Sequence, residues 1–110
     1  MKGRGGNPMG MAGLMKQANQ LQIKIKKIQE ELAEKEYEGS AGGGAVKIKI
    51  KGEHNVIAVT ISQDLVKSGD TEMLQDLVLA ATNEALKIAR TNHAAEMEKV
   101  TGGFNMPGLF

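Results

Sequence analysis

Six cations precede the first acid in this sequence. Lys2, Arg4, Lys16, Lys24, Lys26 and Lys27 stand without any carboxylate in residues 1–29, whereas Glu30, Glu31, Glu34, Glu36 and Glu38 face only Lys35 in residues 30–38. Clustered ammonium and guanidinium groups bind polyanions, because every phosphate they neutralise releases a condensed counterion. A second row, Lys47, Lys49 and Lys51, alternates with apolar residues, and Lys87 and Arg90 form a third group. From Gly52 to Phe110 four bases (Lys67, Lys87, Arg90, Lys99) stand against eight acids, so the positive field lies mostly in the N-terminal half although the formal net charge is only +1.

Other chemistries find little support. His54 and His93 are the only histidines, and no carboxylate spacing joins them into a metal site or a triad. The absence of cysteine removes disulfides, thiolate ligands and thiol nucleophiles, in keeping with a reducing cytosol. The glycines from Gly39 to Gly44 lack the lysine of a phosphate-binding P-loop and the spacing of a dinucleotide-binding turn. No catalytic residue, metal, cofactor or small-molecule substrate is expected, and the chain reads as a non-enzyme. Gln17, Asn19, Gln20 and Gln22 suit adenine edges but equally make ordinary helix surface.

The elements that must position these groups are legible in the apolar periodicity. Met11, Leu14, Ala18, Leu21, Ile25, Ile28 and Leu32 recur at alternating spacings of 3 and 4, which predicts one helix from about Pro8 to Glu36, roughly 40 Å long at ~1.5 Å per residue. Ile23 falls outside that seam and hints at a second contact surface. Strict alternation in Val46-Lys47-Ile48-Lys49-Ile50-Lys51 predicts a strand with apolar residues on one face and lysines on the other. Gly52 to Asn55 is a turn, Val56 to Ile61 the returning strand, and Tyr37 to Ala41 either a third strand or a bend. Asp64 to Gly69 suits a single capped turn. Asp70 then caps a second long helix through about Val100, with Leu74, Leu77, Val78, Ala81, Ala85, Ile88 and Ala89 along one stripe.

This order predicts an α+β domain: a long N-terminal helix, a small antiparallel sheet built on a hairpin, and a long C-terminal helix. Residues 1–110 form a single domain with flexible ends at about 1–8 and 102–110. Of the three aromatic residues, Phe104 and Phe110 lie in the last seven positions, so the core is expected to consist of aliphatic side chains and methionine. The basic start lacks a long apolar segment, and nothing approaches the roughly 20 apolar residues that span a bilayer; the expectation is a soluble, untargeted chain with no membrane partner.

The run GAVKIKIKGEHNV, the following DTEMLQDLVLAATNEAL, the first-helix segment MKQANQLQIKIKKIQEELA and the ending MEKVTGGFNMPGLF together resemble the YbaB/EbfC family over nearly the whole chain. That resemblance implies a tweezer-shaped homodimer whose projecting helices contact duplex DNA. It also implies a role in nucleoid organisation or gene regulation, placed in the cytoplasm at the nucleoid. It supplies no site residues, which rest on charge placement alone.

A helix dipole favours acids at the N-terminus and bases at the C-terminus, and the first helix reverses both. Lys16, Lys24, Lys26 and Lys27, aided by Lys2 and Arg4, are therefore the leading phosphate contacts, against the alternative of a solvated face. Lys47, Lys49 and Lys51 bind phosphate or protect a strand from edge pairing. Lys87 and Arg90 carry least weight, since Glu84 stands three residues before Lys87 and can pair with it. The rival function is a protein–protein adaptor without direct DNA binding.

Overall fold

Alternate burial along one strand decides where this chain folds back on itself. The computed structural model describes residues 10–102, in the order α1 (Met11–Glu34), β1 (Glu36–Ala41), β2 (Val46–Lys51), β3 (Val56–Ile61), α2 (Gln63–Ser68) and α3 (Thr71–Thr101). The strands form one antiparallel sheet in the order β1-β2-β3. The expected α+β architecture of helix, small sheet and helix is present, and the segment from Tyr37 to Ala41 is a strand that starts one residue earlier, at Glu36. Pro8 and the ends at 1–8 and 103–110 lie outside the described residues.

Val46, Ile48 and Ile50 are essentially solvent-free, and pairing places Ala41, Gly39 and Tyr37 beside them on the same face. Full burial of such a side chain stabilises by about 1.5–3 kcal/mol. An exposed ion pair such as Lys49–Glu36 on the opposite face contributes only about 0–1 kcal/mol. The apolar row therefore fixes which face of the sheet receives a helix.

That helix is α3, and it comes unusually close. Ala81, Ala85 and Ala89, one turn apart, are buried against the sheet, and a Cβ on Gly39 would overlap the Ala81 carbonyl oxygen and the Ala85 amide nitrogen. Only small residues on both sides allow this contact. The core is aliphatic as expected, apart from Tyr37, but among the described residues it holds no methionine. Alanine supplies its helical side, Tyr37 belongs to it, and none of the described methionines is buried, with Met11, Met15 and Met73 all exposed. Ile88, expected on the buried stripe, sits at the margin of the helix face with 36% of its surface exposed.

Local signals set the remaining boundaries. The short helix expected from Asp64 is α2, which Ser62 caps by accepting from the Leu65 amide at 3.1 Å and Gly69 ends in the left-handed conformation. Asp70 caps α3 by accepting from the Met73 amide at 3.0 Å. The end of α1 is held by backbone: Gly52 N–H donates to the Lys35 carbonyl at 2.8 Å and Glu53 N–H to that of Ala33 at 3.3 Å. These bonds satisfy carbonyls that a helix end leaves unpaired. A side chain at Gly52 would collide with the Leu32 carbonyl, so this docking also requires glycine.

The long helices run antiparallel. The Lys35 ammonium donates to Asn92 Oδ1 at 3.2 Å at one end, and Lys24, Lys27, Ile28 and Glu31 share a groove with Lys99 and Val100 towards the other. Of the α1 seam, Leu21 and Leu32 are buried and Ile25 and Ile28 half-buried, while Met11, Leu14 and Ala18 are exposed. Replacing Gly39 with alanine is expected to destabilise the fold by about 1–3 kcal/mol through overpacking. Gly102→Ala, at a helical position with open space around it, should stay within about 0.5 kcal/mol of wild type. Urea denaturation of the two variants measures the difference.

Candidate nucleic-acid interface

Lys16, Lys24, Lys26 and Lys27 are all exposed on α1, and among the described residues no carboxylate lies within 4.0 Å of any of them. At ~100° per residue, Leu21, Ile25, Ile28 and Leu32 occupy the side turned towards the protein. Lys16 lies opposite, with Lys26 and Lys27 about 130° from that side on either hand and Lys24 on the flank, about 70° from it. Lys16, Lys26 and Lys27 therefore share an outward face with Lys24 at the groove beside Lys99, and Lys16 and Lys27 stand about 16 Å apart along the axis at ~1.5 Å per residue. The first turn of α1 holds no acid and the last no base, so dipole contributions of roughly 0.3–1 kcal/mol each are forgone. Ile23, 66% exposed, sits in the middle of this cationic face, and Gln17, Asn19, Gln20 and Gln22 are exposed around it. Lys2 and Arg4 lie outside the described residues.

The strand lysines have a different setting. Lys49 lies 3.8 Å from Glu36 and Lys51 3.2 Å from Glu34, while Lys47 is exposed opposite Ser40. The hydrogen bond that the Lys51 ammonium donates to Glu34 raises the Lys51 pKa above its ordinary value. The charge of Glu34 adds to this, and those of Glu53 and Glu36 add less. Acids from α1 and β1 thus offset much of this row.

Lys87 and Arg90 belong to separate surfaces. Lys87 lines a groove with Glu84, Ile88 and Thr91, and the two charges three residues apart do not close to an ion pair within 4.0 Å. Arg90 instead enters a cleft with Leu32, Tyr37, Gly52, His54, Ala89 and His93. The fold therefore brings together both histidines, which are 39 positions apart in the chain and share no motif. Lys99, which sequence spacing did not single out, comes beside Lys24 and Lys27 because the helices are antiparallel, and it is held 3.0 Å from Glu96. Lys35 is a further addition, with its ammonium 5.7 Å from the Tyr37 ring centre.

Tyr37 ties the arm to the body. Its hydroxyl donates to Asn92 Oδ1 at 2.5 Å, and burial, followed by the charge of Glu96, raises its pKa above the usual tyrosine value, so the phenol keeps its proton at neutral pH. Among the described residues there is no group of three or more His, Cys, Asp or Glu able to hold a metal, and no helix long and apolar enough to cross a membrane.

The order helix, antiparallel sheet, helix defines an α+β chain, and this chain belongs to the YbaB/EbfC DNA-binding family, whose model matches residues 7–104. It is 52% identical to a nucleoid-associated protein of Clostridium novyi, over 97% of this chain and 98% of that one. It is 49% identical to a nucleoid-associated protein of Caldanaerobacter subterraneus, with the same coverage. Its fold matches the crystal structure of an uncharacterized protein from Helicobacter pylori with a TM-score of 0.69 at 19% identity, covering 83% of this chain and 96% of that one.

Substituting Tyr37 with phenylalanine removes the bond to Asn92 and is expected to cost about 0.5–1.5 kcal/mol of stability in a urea titration. An unchanged unfolding midpoint would mean that apolar packing alone holds the junction of α1, β1 and α3.

Proposed function

We propose that this chain binds duplex DNA as a homodimer, mainly through the phosphates, and acts at the nucleoid in DNA organisation or gene regulation. The observation that carries this reading is the row Lys16, Lys24, Lys26 and Lys27, exposed along α1 with no carboxylate within 4.0 Å of any of them among the described residues. Among the described residues no ion pair holds these four ammonium groups, whereas a duplex offers a negative charge every ~1.7 Å of its axis. Lys2 and Arg4, which precede α1 in the sequence, are further candidate contacts. Lys47, Lys87 and Arg90 are secondary contacts, and Lys49 and Lys51 reach phosphate only by leaving their glutamates. Phosphate contacts fix position without reading bases, so sequence preference is modest. The nucleoid location accords with the names of the relatives.

Dimerisation finds its support at β3. This strand is one edge of the sheet and carries no charged residue. Val56, Ile57 and Val59 are 54%, 42% and 54% exposed, and the register shift opposite Lys49 and Ile50 is the only irregularity along its pairing with β2. Edges left in water normally carry lysine or proline to prevent strand addition. An uncharged apolar edge fits a second copy laid against it. Two α1 arms on one duplex then raise each other's effective concentration.

Binding to a random duplex is expected to weaken steeply with salt, and the Lys16/Lys24/Lys26/Lys27→Ala variant should lower the log–log salt slope by about 0.9 for each phosphate contact removed. Absence of wild-type binding at low salt would refute the reading and favour a protein–protein adaptor. In sedimentation, wild type is expected as a dimer and Val59→Lys as a folded monomer; a Val59→Lys dimer would move the interface away from β3.

A further inference from the structure

We propose that Ile23 is a base contact: with α1 laid in the major groove of a duplex, its side chain packs against the 5-methyl group of thymine while the flanking lysines hold phosphates. The proposal rests on duplex DNA being the ligand, as argued above, and adds a residue that reads bases to a surface that otherwise meets the backbone.

Of the exposed apolar residues on α1, Leu14 continues the inward row of Leu21, Ile25, Ile28 and Leu32, and Met11 and Met15 lie on one flank of it. Ile23, 66% exposed, points the other way. It stands about 170° from the middle of that row at ~100° per residue. Helix-forming tendency does not account for an isoleucine there, because alanine, leucine, lysine and glutamine all form helix more readily. A single apolar residue on a protein surface is ordinary; what distinguishes Ile23 is the ring around it. Residues three and four positions away are neighbours on a helix surface. For Ile23 these are Asn19 and Gln20 before it and Lys26 and Lys27 after it, all exposed. Asn19 and Lys26 fall on one side of it around the axis and Gln20 and Lys27 on the other, each about 40–60° away. The apolar side chain is thus flanked on both sides by one amide and one ammonium group, and the nearest acid along the helix is Glu30, seven residues on.

Whatever covers Ile23 meets this ring as well. A protein surface would have to supply acceptors for both ammonium groups around an apolar spot, whereas a DNA groove has that composition throughout, with phosphates along both walls and base edges between them. With its side chains an α-helix is about 10–12 Å across, which fits a major groove about 12 Å wide and not a minor groove about 6 Å wide. The face is open to such a pose because α3 lies against the other side of α1, with Ile28 and Val100 lining one groove and Leu32 and Ala89 lining another. In that pose the middle of the face, Ile23, meets the floor, and Lys26 and Lys27 reach towards opposite walls. Thymine is the base that presents a methyl group there, and the amides of Asn19 and Gln20 suit the N6 and N7 edge of adenine. Isoleucine is stiff at χ1, so the contact orders few rotamers.

The test compares binding to a short duplex of alternating A·T and T·A pairs with binding to the same duplex carrying uracil in place of every thymine, which removes only the methyl groups. Wild type is expected to bind the uracil duplex about 2- to 5-fold more weakly for each methyl in contact, the worth of one buried methyl-sized group. Ile23→Ala, with the better helix former at an exposed site, should fold and dimerise as wild type does. It should bind the thymine duplex more weakly than wild type and lose most of the difference between the two duplexes. Its salt slope should match that of wild type, because no charge is removed. Equal wild-type affinity for both duplexes, or a full thymine preference kept by Ile23→Ala, would overturn the base contact and leave the lysines as a phosphate surface alone. Loss of the dimer in Ile23→Ala would assign the side chain to a protein interface and overturn it too. No wild-type binding to either duplex at low salt would remove the underlying reading and this one with it.

Discussion

Everything in this fold depends on how closely α3 can approach the sheet. The contact is nearly backbone on backbone, with Gly39 facing Ala81 and Ala85 and with Val46, Ile48 and Ile50 filling the space beside them. A small interior of this kind has little tolerance, because packed interiors cannot absorb even one extra methylene without strain or lost contacts. The contact fixes the axis of α3, and the axis carries Asn92 to the place where it receives Tyr37 and Lys35. The end of α1 is then locked against the β2–β3 turn through Gly52 and Glu53. Two helices of 24 and 31 residues are thereby aimed from a three-stranded base.

The charge pattern acquires meaning only on that frame. Acids gather where the chain needs internal partners, with Glu34 on Lys51 and Glu36 on Lys49. Cations without partners gather on the outer side of α1 and in the cleft of Arg90. The cation row on α1 has no carboxylate within 4.0 Å among the described residues, which leaves it open to a partner outside the chain. Membership of a DNA-binding family supports DNA as a partner of this chain, and the phosphate density of a duplex is what the proposed contact would draw on.

Both long helices and the hairpin were readable in the sequence, because periods of 3.6 and 2 are written in Leu21, Ile25, Ile28 and Leu32 and in Val46, Ile48 and Ile50. Tyr37 to Ala41 was ambiguous for a physical reason: Gly39 weakens a strand signal, yet it is the residue that makes the helix contact possible. Methionine was expected in the core, but α3 comes so close to the sheet that the alanines of its apolar stripe, Ala81, Ala85 and Ala89, are the side chains that fit there. The pairing of Lys49 and Lys51 with glutamates was hidden because it depends on register and on where α1 ends. Lys99 beside Lys24, and His54 with His93, are products of tertiary placement that no linear spacing encodes.

Mapping a short random duplex onto the isotope-labelled protein by amide and lysine side-chain chemical shifts tests the central claim most directly. Binding through the outer face of α1 predicts perturbations concentrated at Lys16, Lys24, Lys26 and Lys27 and fading on the buried side at Leu21 and Leu32. Perturbations confined to Lys47, Lys49 and Lys51 on the sheet, with α1 silent, would contradict it.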